Sequence, residues 1–394
     1  MTDMSFPSPA QSRNCRLDRP LHVVFWGTYD LSKPRTRILR DGLREIDVEV
    51  TEIHGDIWRG YADKSQLGKM ALLLACFRAL LVYPLLVFRY LTAPRHDVVI
   101  VPYLGQLDVL ILWPFVRLRG RAITLDMFLS LTDTVVHDRR MVAPRSLVAR
   151  ALWALEWLSC RAADRVLMDT RAHADYVSEL FNVPRARMAA VPVGAEPGAF
   201  ARLPPAAPHD GPARVLFYGQ LIPLHGVETI LKAALSERGR AHRWHLIGTG
   251  QMQSTLEAAL QGDEVAHVTW EKWAPYAELT HAIAETDICL GIFGASRKAA
   301  SVVPNKVYQA LMTGRSVITR ASPAITETFA EDAGLICVPH SDPEAILDAI
   351  DALSIAGFPA LEPSALTLAQ PAEIATSLCR DVLIPLSMEG KRAC

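Results

Sequence analysis

A stretch in the second half of the chain, residues 288–326, contains five basic residues and no acidic residue. The basic residues are Arg297, Lys298, Lys306, Arg315 and Arg320. The text GIFGASRKAASVVPNKVYQALMTG predicts a strand end, a loop of small residues, and a helix that begins after Pro304 and ends at Gly314. Small residues allow a ligand to approach the backbone, and a helix N-terminus favours negative charge. The stretch predicts a phosphate or diphosphate site; the alternative is an ordinary crossover with solvated cations.

The elements that would position this site form two series of strands and helices. Apolar runs followed by helical patterns extend from LHVVFWG at 21–27 to MAAVPVG at 188–194, and again from ARVLFYG at 213–219 to GLICVPH at 334–340. This alternation predicts parallel sheets with helices on both faces. Residues 198–213 are rich in Pro and Ala and show neither the periodicity of a helix nor that of a strand, which indicates a linker. We therefore predict an α/β protein of two Rossmann-like domains, 21–197 and 214–370, facing each other across a cleft.

The ends of the chain and its cysteines indicate the compartment. Residues 1–20 contain no apolar run, which predicts a disordered leader and not a secretory signal. Residues 371–394 contain a helical pattern after a Pro-rich gap, and we expect this helix to cross back to the first domain. Seven scattered cysteines without C-x-x-C spacing support neither a disulfide framework nor a zinc site. A cytoplasmic location with reduced thiols is expected.

Charge and hydropathy restrict the partners. The 394 residues carry a net charge of -1, so nothing attracts the chain as a whole to nucleic acid, and no nucleic-acid partner is expected. Residues 64–95 are apolar and contain five cations but no acid. A membrane-spanning helix here would bury Arg78 at a cost of roughly 2.5 to 3.5 kcal/mol. The segment predicts a helix lying on an anionic membrane surface; the alternative is a helix packed between sheet and solvent.

The order of motifs resembles the GT-B glycosyltransferases, in particular the family 4-like group of retaining enzymes. The family opens its second domain with a strand, Gly, Arg, four residues, Lys and Gly, and the matching text here is YGQLIPLHG at 218–226. Gly219 and Gly226 fit this pattern. Gln220 and His225 stand where the family has the Arg and Lys that neutralise the donor diphosphate, and Arg297, Lys298 and Lys306 are available as compensating charges.

The family also carries two Glu residues eight positions apart, near the donor sugar and the ribose. Ser301 and Gln309 occupy these positions, so both acids are missing here. Asn305, Lys306 and Gln309 are spaced to share one side of their helix, which suits a nucleotide. Trp273 lies where the family chain passes the nucleobase. The resemblance therefore implies a donor site on the second domain.

In the first domain the resemblance implies acceptor contacts. Gly27 matches a glycine turn near the donor phosphates, and Tyr29, Arg35 and Arg37 follow as candidates to hold a phosphate of the acceptor. Asp126 stands where family members often place a histidine that touches the donor sugar. We interpret Asp126 as a catalytic contact; the alternative is a helix cap or loop carboxylate.

The implied activity is transfer of a sugar from a nucleotide diphosphate donor to a glycan or lipid-linked acceptor. Surface-glycan assembly at the cytoplasmic face of the membrane is the implied setting. No D-x-D motif occurs, so a metal-independent reaction without a cofactor is expected. Three alternatives stay open at this point: an inverting transferase that uses Asp126 or Asp133 as base, an epimerase, and a non-catalytic GT-B protein.

Overall fold

The computed structural model describes residues 19–31, 33–57, 69–204, 209, 211–261, 265–329, 334–358 and 370–392. Most of the predicted leader, Lys64 and parts of the predicted linker lie outside these residues. Within them the chain forms two parallel sheets of six strands each, with helices on both faces. Among the described residues, no helix combines the length and the apolar character needed to cross a membrane.

The first sheet has the strand order β2-β1-β3-β4-β5-β6. Its strands are β1 His22–Gly27, β2 Glu49–His54, β3 Val98–Val101, β4 Ala122–Asp126, β5 Arg165–Met168 and β6 Met188–Ala190. Its helices are α1 Pro34–Glu45, α2 Lys69–Leu91, α3 Gln106–Leu118, α4 Leu147–Ala162 and α5 Arg171–Phe181. A π-helical turn, Asp133–Asp138, lies between β4 and α4.

The second sheet has the order β12-β11-β10-β7-β8-β9. Its strands are β7 Arg214–Tyr218, β8 Arg243–Ile247, β9 Val268–Glu271, β10 Ile288–Leu290, β11 Ser316–Arg320 and β12 Leu335–Val338. Its helices are α6 Val227–Leu235, α7 Gln253–Ala259, α8 Tyr276–Ala284, α9 Arg297–Ser301, α10 Asn305–Thr313, α11 Pro323–Thr328 and α12 Pro343–Ile355. The predicted small-residue loop is in part helical, because residues 297–301 form α9, whose N-terminus is capped by the Ser296 side chain.

Each sheet separates two hydrophobic cores, as the period of two along a strand requires. In β1, Val24 and Trp26 pack on one face, and Val23 and Phe25 pack on the other. β1 is apolar on both faces because helices cover both faces of the sheet at this strand.

The chain ends on the first domain. Helices α13 Pro371–Leu378 and α14 Ile384–Arg392 follow the second sheet, yet their apolar residues share a core with β1 and α1. Gly42 of α1 permits close approach, since a Cβ there would lie 2.2 Å from the carbonyl oxygen of Pro371. The C-terminal helices thus pack on the first domain, although they follow the second domain in sequence.

Candidate functional site

The carboxyl ends of β7 and β8 meet at two glycines. Gly219 follows β7 with φ of +138°, and Gly248 follows β8 with φ of +147°. A Cβ on Gly248 would lie 1.9 Å from the carbonyl oxygen of Gly219, so no larger residue fits there. Open α/β sheets bind ligands at the carboxyl ends of their strands. At these two glycines a ligand could approach the backbone closely, because no side chain covers it.

Lys306, in the first turn of α10, points to Gly219. Its Nζ would lie 3.0 Å from a Cβ placed on Gly219, and it lies 3.8 Å from the centre of the Phe217 ring. The side chain is buried, and Nζ has neither a hydrogen-bond nor an ion-pair partner among the described residues. Burial lowers the pKa of Lys306 well below its ordinary value. The site therefore contains a buried amine without a counter-ion.

Two hydrogen bonds hold α10 in this position. The Tyr218 hydroxyl at the end of β7 donates to the Lys306 carbonyl oxygen at 3.2 Å. Gln309, one turn further along the helix and also buried, donates to the Tyr276 hydroxyl at 3.4 Å. Asn305 is half-buried at the start of α10. The structure thus brings Asn305, Lys306 and Gln309 to one helix, as the spacing predicts.

His225 lies on the other side of Gly219. It is buried, and its Nδ1 lies 2.5 Å from the Gln220 carbonyl oxygen, which can only accept a hydrogen bond, so Nδ1 carries the hydrogen. Burial and the nearby Lys306 lower the pKa of His225 well below 6.5, so the ring is neutral with its single N–H already used. His225 offers a lone pair at Nε2, and it does not replace the lysine that the family has at this position.

Arg297 and Lys298 do not join Lys306. Lys298 is buried against the first domain, where Nζ donates to the Thr134 hydroxyl at 2.6 Å and lies 3.3 Å from Asp133 Oδ2. Arg297 forms an ion pair with Glu179 of α5. The structure assigns both predicted donor contacts to the interface between the domains.

Arg315 and Arg320 support the backbone instead of a ligand. Arg315 donates to the carbonyl oxygens of Ile283, Ala284 and Pro204, and Arg320 donates to that of Gly294. Of the five cations in the acid-free stretch, Lys306 is the one without an acceptor among the described residues.

In the first domain, Asp126 and Arg35 pair with each other. Both side chains are buried, and Arg35 Nε lies 2.8 and 2.9 Å from the two Asp126 oxygens. Arg35 also donates to the Val191 carbonyl oxygen at 2.9 Å. It therefore contacts both Asp126 at the end of β4 and the residue that follows β6. In this conformation neither the predicted catalytic residue nor the predicted acceptor contact is exposed to a substrate.

Arg37 and Tyr29 are also engaged. Arg37 makes two hydrogen bonds of 2.7 and 2.9 Å to Glu196, which in turn accepts from the Tyr276 hydroxyl at 2.8 Å. Burial alone would raise the pKa of Glu196, but the hydrogen bonds from Arg37 and Tyr276 bring it below its ordinary value. Tyr29 is buried and donates to Glu52 at 3.1 Å.

Gly27 makes room for a carboxylate that the sequence reasoning missed. With φ of +136°, it would place a Cβ 2.2 Å from Asp108 Oδ2. Asp108, in the first turn of α3, is buried and accepts from the Thr28 amide and the Tyr83 hydroxyl, both at 2.6 Å. In the sequence, Asp108 could have been recognised as an acidic residue in the first turn of a helix that begins after Gly105.

Two family models match the sequence. The model described as Glycosyl transferase 4-like domain matches residues 19–194, and the model described as Glycosyl transferases group 1 matches residues 212–354. The chain belongs to the family 4-like, group 1 glycosyltransferases. No curated protein sequence matches this glycosyltransferase.

Solved GT-B glycosyltransferases have the same fold. Sucrose-phosphate synthase from Thermosynechococcus elongatus is 14% identical with a TM-score of 0.63, over 95% of this chain and 98% of that one. The Anabaena protein Alr3699/HepE in complex with UDP is 10% identical with a TM-score of 0.56, over 95% and 99%. The apo form of the lipopolysaccharide outer core galactosyltransferase WaaB is 14% identical with a TM-score of 0.56, over 95% and 100%. The fold of this glycosyltransferase is thus the GT-B fold that the sequence predicts.

The remaining predicted contacts of this glycosyltransferase are Gln220, Trp273 and Gly226, and each has a different environment. Gln220 accepts from Arg139 of the first domain at 2.8 Å, so it bridges the two domains. Trp273 follows β9 and has 74% of its side chain exposed. Gly226 has φ of +68° and packs on the backbone of Phe293, where a Cβ would clash at 2.6 Å. Gly219, Gly248 and Lys306 come together as one site, whereas Gly226 packs on Phe293 and Trp273 is exposed.

Proposed function

We propose that this glycosyltransferase transfers a sugar from a nucleotide diphosphate donor to a glycan or lipid-linked acceptor at the inner face of the cell membrane. Retention of the anomeric configuration, independence from metal and a role in surface-glycan assembly are parts of this proposal. Solved relatives give context: one is a complex with UDP, and another is a lipopolysaccharide galactosyltransferase.

The observation that carries the proposal is the unpartnered Lys306 amine. A buried cation without a counter-ion is unfavourable, and a diphosphate at Gly219 would supply the missing partner. The first turn of α10 adds its free backbone N–H groups and the positive end of its dipole at the same point. These groups would stabilise the charge that develops on the departing diphosphate.

The state of the carboxylates favours retention over inversion. An inverting enzyme needs a general base, and the two sequence candidates are Asp126 and Asp133. Asp126 pairs with Arg35, while Asp133 accepts from the Tyr176 hydroxyl at 2.6 Å and faces Lys298. Both carboxylates are buried and engaged. In the retaining route the departing phosphate helps to deprotonate the acceptor, so no protein base is required.

The proposed membrane contact rests on the outer faces of α2, α3 and α4. Exposed apolar residues follow one another along these helices: Phe77, Leu80, Leu81, Leu85, Phe88, Leu107, Trp113, Leu118, Leu147 and Val148. Between residues 77 and 163 every acidic side chain is buried, whereas Arg89, Arg95, Arg145 and Arg150 are exposed. An apolar face with cations and without exposed carboxylates is complementary to an anionic bilayer.

The test is calorimetric titration with UDP, GDP and ADP, and with the sugar conjugates of the nucleotide that binds. We expect one nucleotide to bind the wild-type protein, and Lys306→Ala to weaken that binding by at least about tenfold. Lys232→Ala, which removes an exposed lysine of α6, is the matched control and should bind as the wild type does. Equal affinities for the two variants would remove Lys306 from the donor site. No binding of any nucleotide would favour a non-catalytic GT-B protein.

A further inference from the structure

A cavity of about 370 Å³ opens on the first domain between the π-helical turn Asp133–Asp138 and the start of α4. It is lined by Val136, His137, Arg140, Met141, Val142, Ala143 and Pro144. A cation and an imidazole thus stand beside a wall of apolar side chains. This composition suits a ligand that is anionic at one end and apolar at the other.

The cavity lies next to the donor side of the cleft. Arg139, between the lining residues His137 and Arg140, donates to Gln220 at 2.8 Å, and its carbonyl oxygen accepts from Gln251 at 3.0 Å. Gln220 directly follows Gly219, beside which Lys306 lies. An acceptor whose phosphate occupied the cavity would therefore have its sugar end beside the proposed donor site.

Exposed apolar residues of the first domain follow the cavity lining closely in sequence. Pro144 is followed within three residues by Leu147, whose side chain is 81% exposed at the start of α4, and by Val148. These residues belong to the face proposed above as the membrane contact. Arg145, which is also exposed, lies between Pro144 and Leu147, so an apolar chain that left the cavity toward this face would pass one cation before it met the apolar residues.

The charge of the cavity is positive. Arg140 and His137 are exposed, and neither has a hydrogen-bond or ion-pair partner among the described residues. The neighbouring acids Asp133 and Asp138 are buried, and Asp133 is engaged by Tyr176 and Lys298. Among the residues that the structure describes, no carboxylate lines the cavity, so the exposed guanidinium is available for bidentate binding of a phosphate.

We propose that this cavity binds a phosphate or diphosphate that is attached to an apolar chain, with Arg140 and His137 on the phosphate and Met141, Val142 and Pro144 on the first part of the chain. The inference rests on the proposed function and specifies its acceptor as a lipid-linked phosphate. The same chemistry is present in the head group of a bilayer phospholipid, and the experiment separates the two sources.

The experiment measures binding of three probes to the full-length protein: farnesyl diphosphate, farnesol and inorganic diphosphate. Farnesyl diphosphate should bind most tightly, because it alone supplies both the phosphate and the apolar chain. Arg140→Ala should weaken its binding about tenfold. Arg243→Ala, which removes an exposed arginine of the second domain, is the matched control and should bind as the wild type does. Unchanged binding by Arg140→Ala overturns the proposal, as does equal affinity of the wild type for inorganic diphosphate.

A second arm uses phosphatidylcholine vesicles with and without phosphatidylglycerol. A loss by Arg140→Ala that is confined to farnesyl diphosphate assigns the cavity to the acceptor, and a loss confined to the phosphatidylglycerol vesicles assigns it to the phospholipid head group. Nucleotide binding by the wild-type protein is measured in parallel. If a nucleotide binds and farnesyl diphosphate does not, the cavity assignment fails while the proposed function stands. If no nucleotide binds, the proposed function itself fails.

Discussion

Lys298 of the second domain and Asp133 of the first lie 3.3 Å apart, and both side chains are almost completely buried. Because the partners belong to different domains, the pair exists only while the two domains are in contact. Asp138 is close to the same ammonium group: burial raises the pKa of Asp138, and the Lys298 charge opposes this. Lys298 therefore neutralises a buried acidic pair at the interface.

Lys298→Met should destabilise this interface strongly. Removal of one partner leaves an uncompensated buried charge, which costs about 3 to 5 kcal/mol. We expect a lower free energy of unfolding in urea and a larger radius of gyration in small-angle scattering. Arg297→Met is the matched control, since its ion pair with Glu179 is exposed and is worth about 1 kcal/mol or less. Equal effects of the two variants would contradict the assigned role of Lys298.

Lys306→Met should stabilise the free protein while it weakens donor binding. The pKa of Lys306 is lowered by burial in the folded state, whereas an unfolded lysine titrates near about 10.4. Between these two values the unfolded chain binds more protons, so stability rises with pH by up to about 1.4 kcal/mol per unit. The wild type should be less stable than the variant near neutral pH, and this gap should close as the pH approaches about 10. Urea denaturation at several pH values measures this difference in the free energy of unfolding. A difference that does not depend on pH would contradict the lowered pKa of the buried Lys306 amine.

Donor binding should also take up a proton when the pH is above the folded pKa of Lys306. A diphosphate beside Nζ favours the charged amine, so the pKa rises in the complex. Calorimetry in two buffers of different ionisation enthalpy measures the uptake. If Lys306→Ala does not bind the nucleotide, its proton uptake cannot be measured. Proton uptake by the wild-type protein is therefore compared at two pH values. Binding without any proton uptake at either pH would show that the protonation of Lys306 does not change on binding, and would contradict this prediction.

Gly219→Ala should impair the donor site. Its φ of +138° is unfavourable for any residue with a Cβ, and that Cβ would lie 3.0 Å from Lys306 Nζ and 3.3 Å from His225 Cε1. We expect a loss of roughly 1 to 3 kcal/mol in the free energy of unfolding, together with weaker nucleotide binding. At Gly198 an added Cβ meets nothing within 4 Å, so Gly198→Ala is the control and should change neither quantity. Similar effects at both glycines would argue against a specific role for Gly219.

Leu80→Glu should reduce binding to anionic vesicles. Leu80 is 72% exposed on α2, in the middle of the proposed membrane-binding face, so the substitution changes neither the core nor the cleft. Arg89→Glu should have a similar effect that weakens as salt increases, because each cation near an anionic surface contributes about 1 kcal/mol. Ile355→Glu changes an apolar residue of the second domain that is 88% exposed, and it is the control. Vesicle co-sedimentation measures the binding, and equal binding by Leu80→Glu and Ile355→Glu would rule out this face.

The sequence by itself determined the parts that depend on local periodicity. Alternation of apolar strands with helical patterns predicts two parallel sheets, and Pro304 and Gly314 predict the ends of α10. Gly219, directly after β7, was also predictable, because the matching family pattern has a glycine at this position. The resemblance to GT-B glycosyltransferases depends on this same order of elements.

Only the tertiary structure decided which charges are free. Arg35 and Asp126 are 91 residues apart in sequence, and Lys298 and Thr134 are 164 apart. Local patterns contain no information about such pairs, so the sequence predicted substrate contacts where the fold forms ion pairs and interface hydrogen bonds. A charged side chain that is buried must find a partner, and long-range packing determines which partner it meets. Lys306 is the buried cation for which the fold supplies none among the described residues.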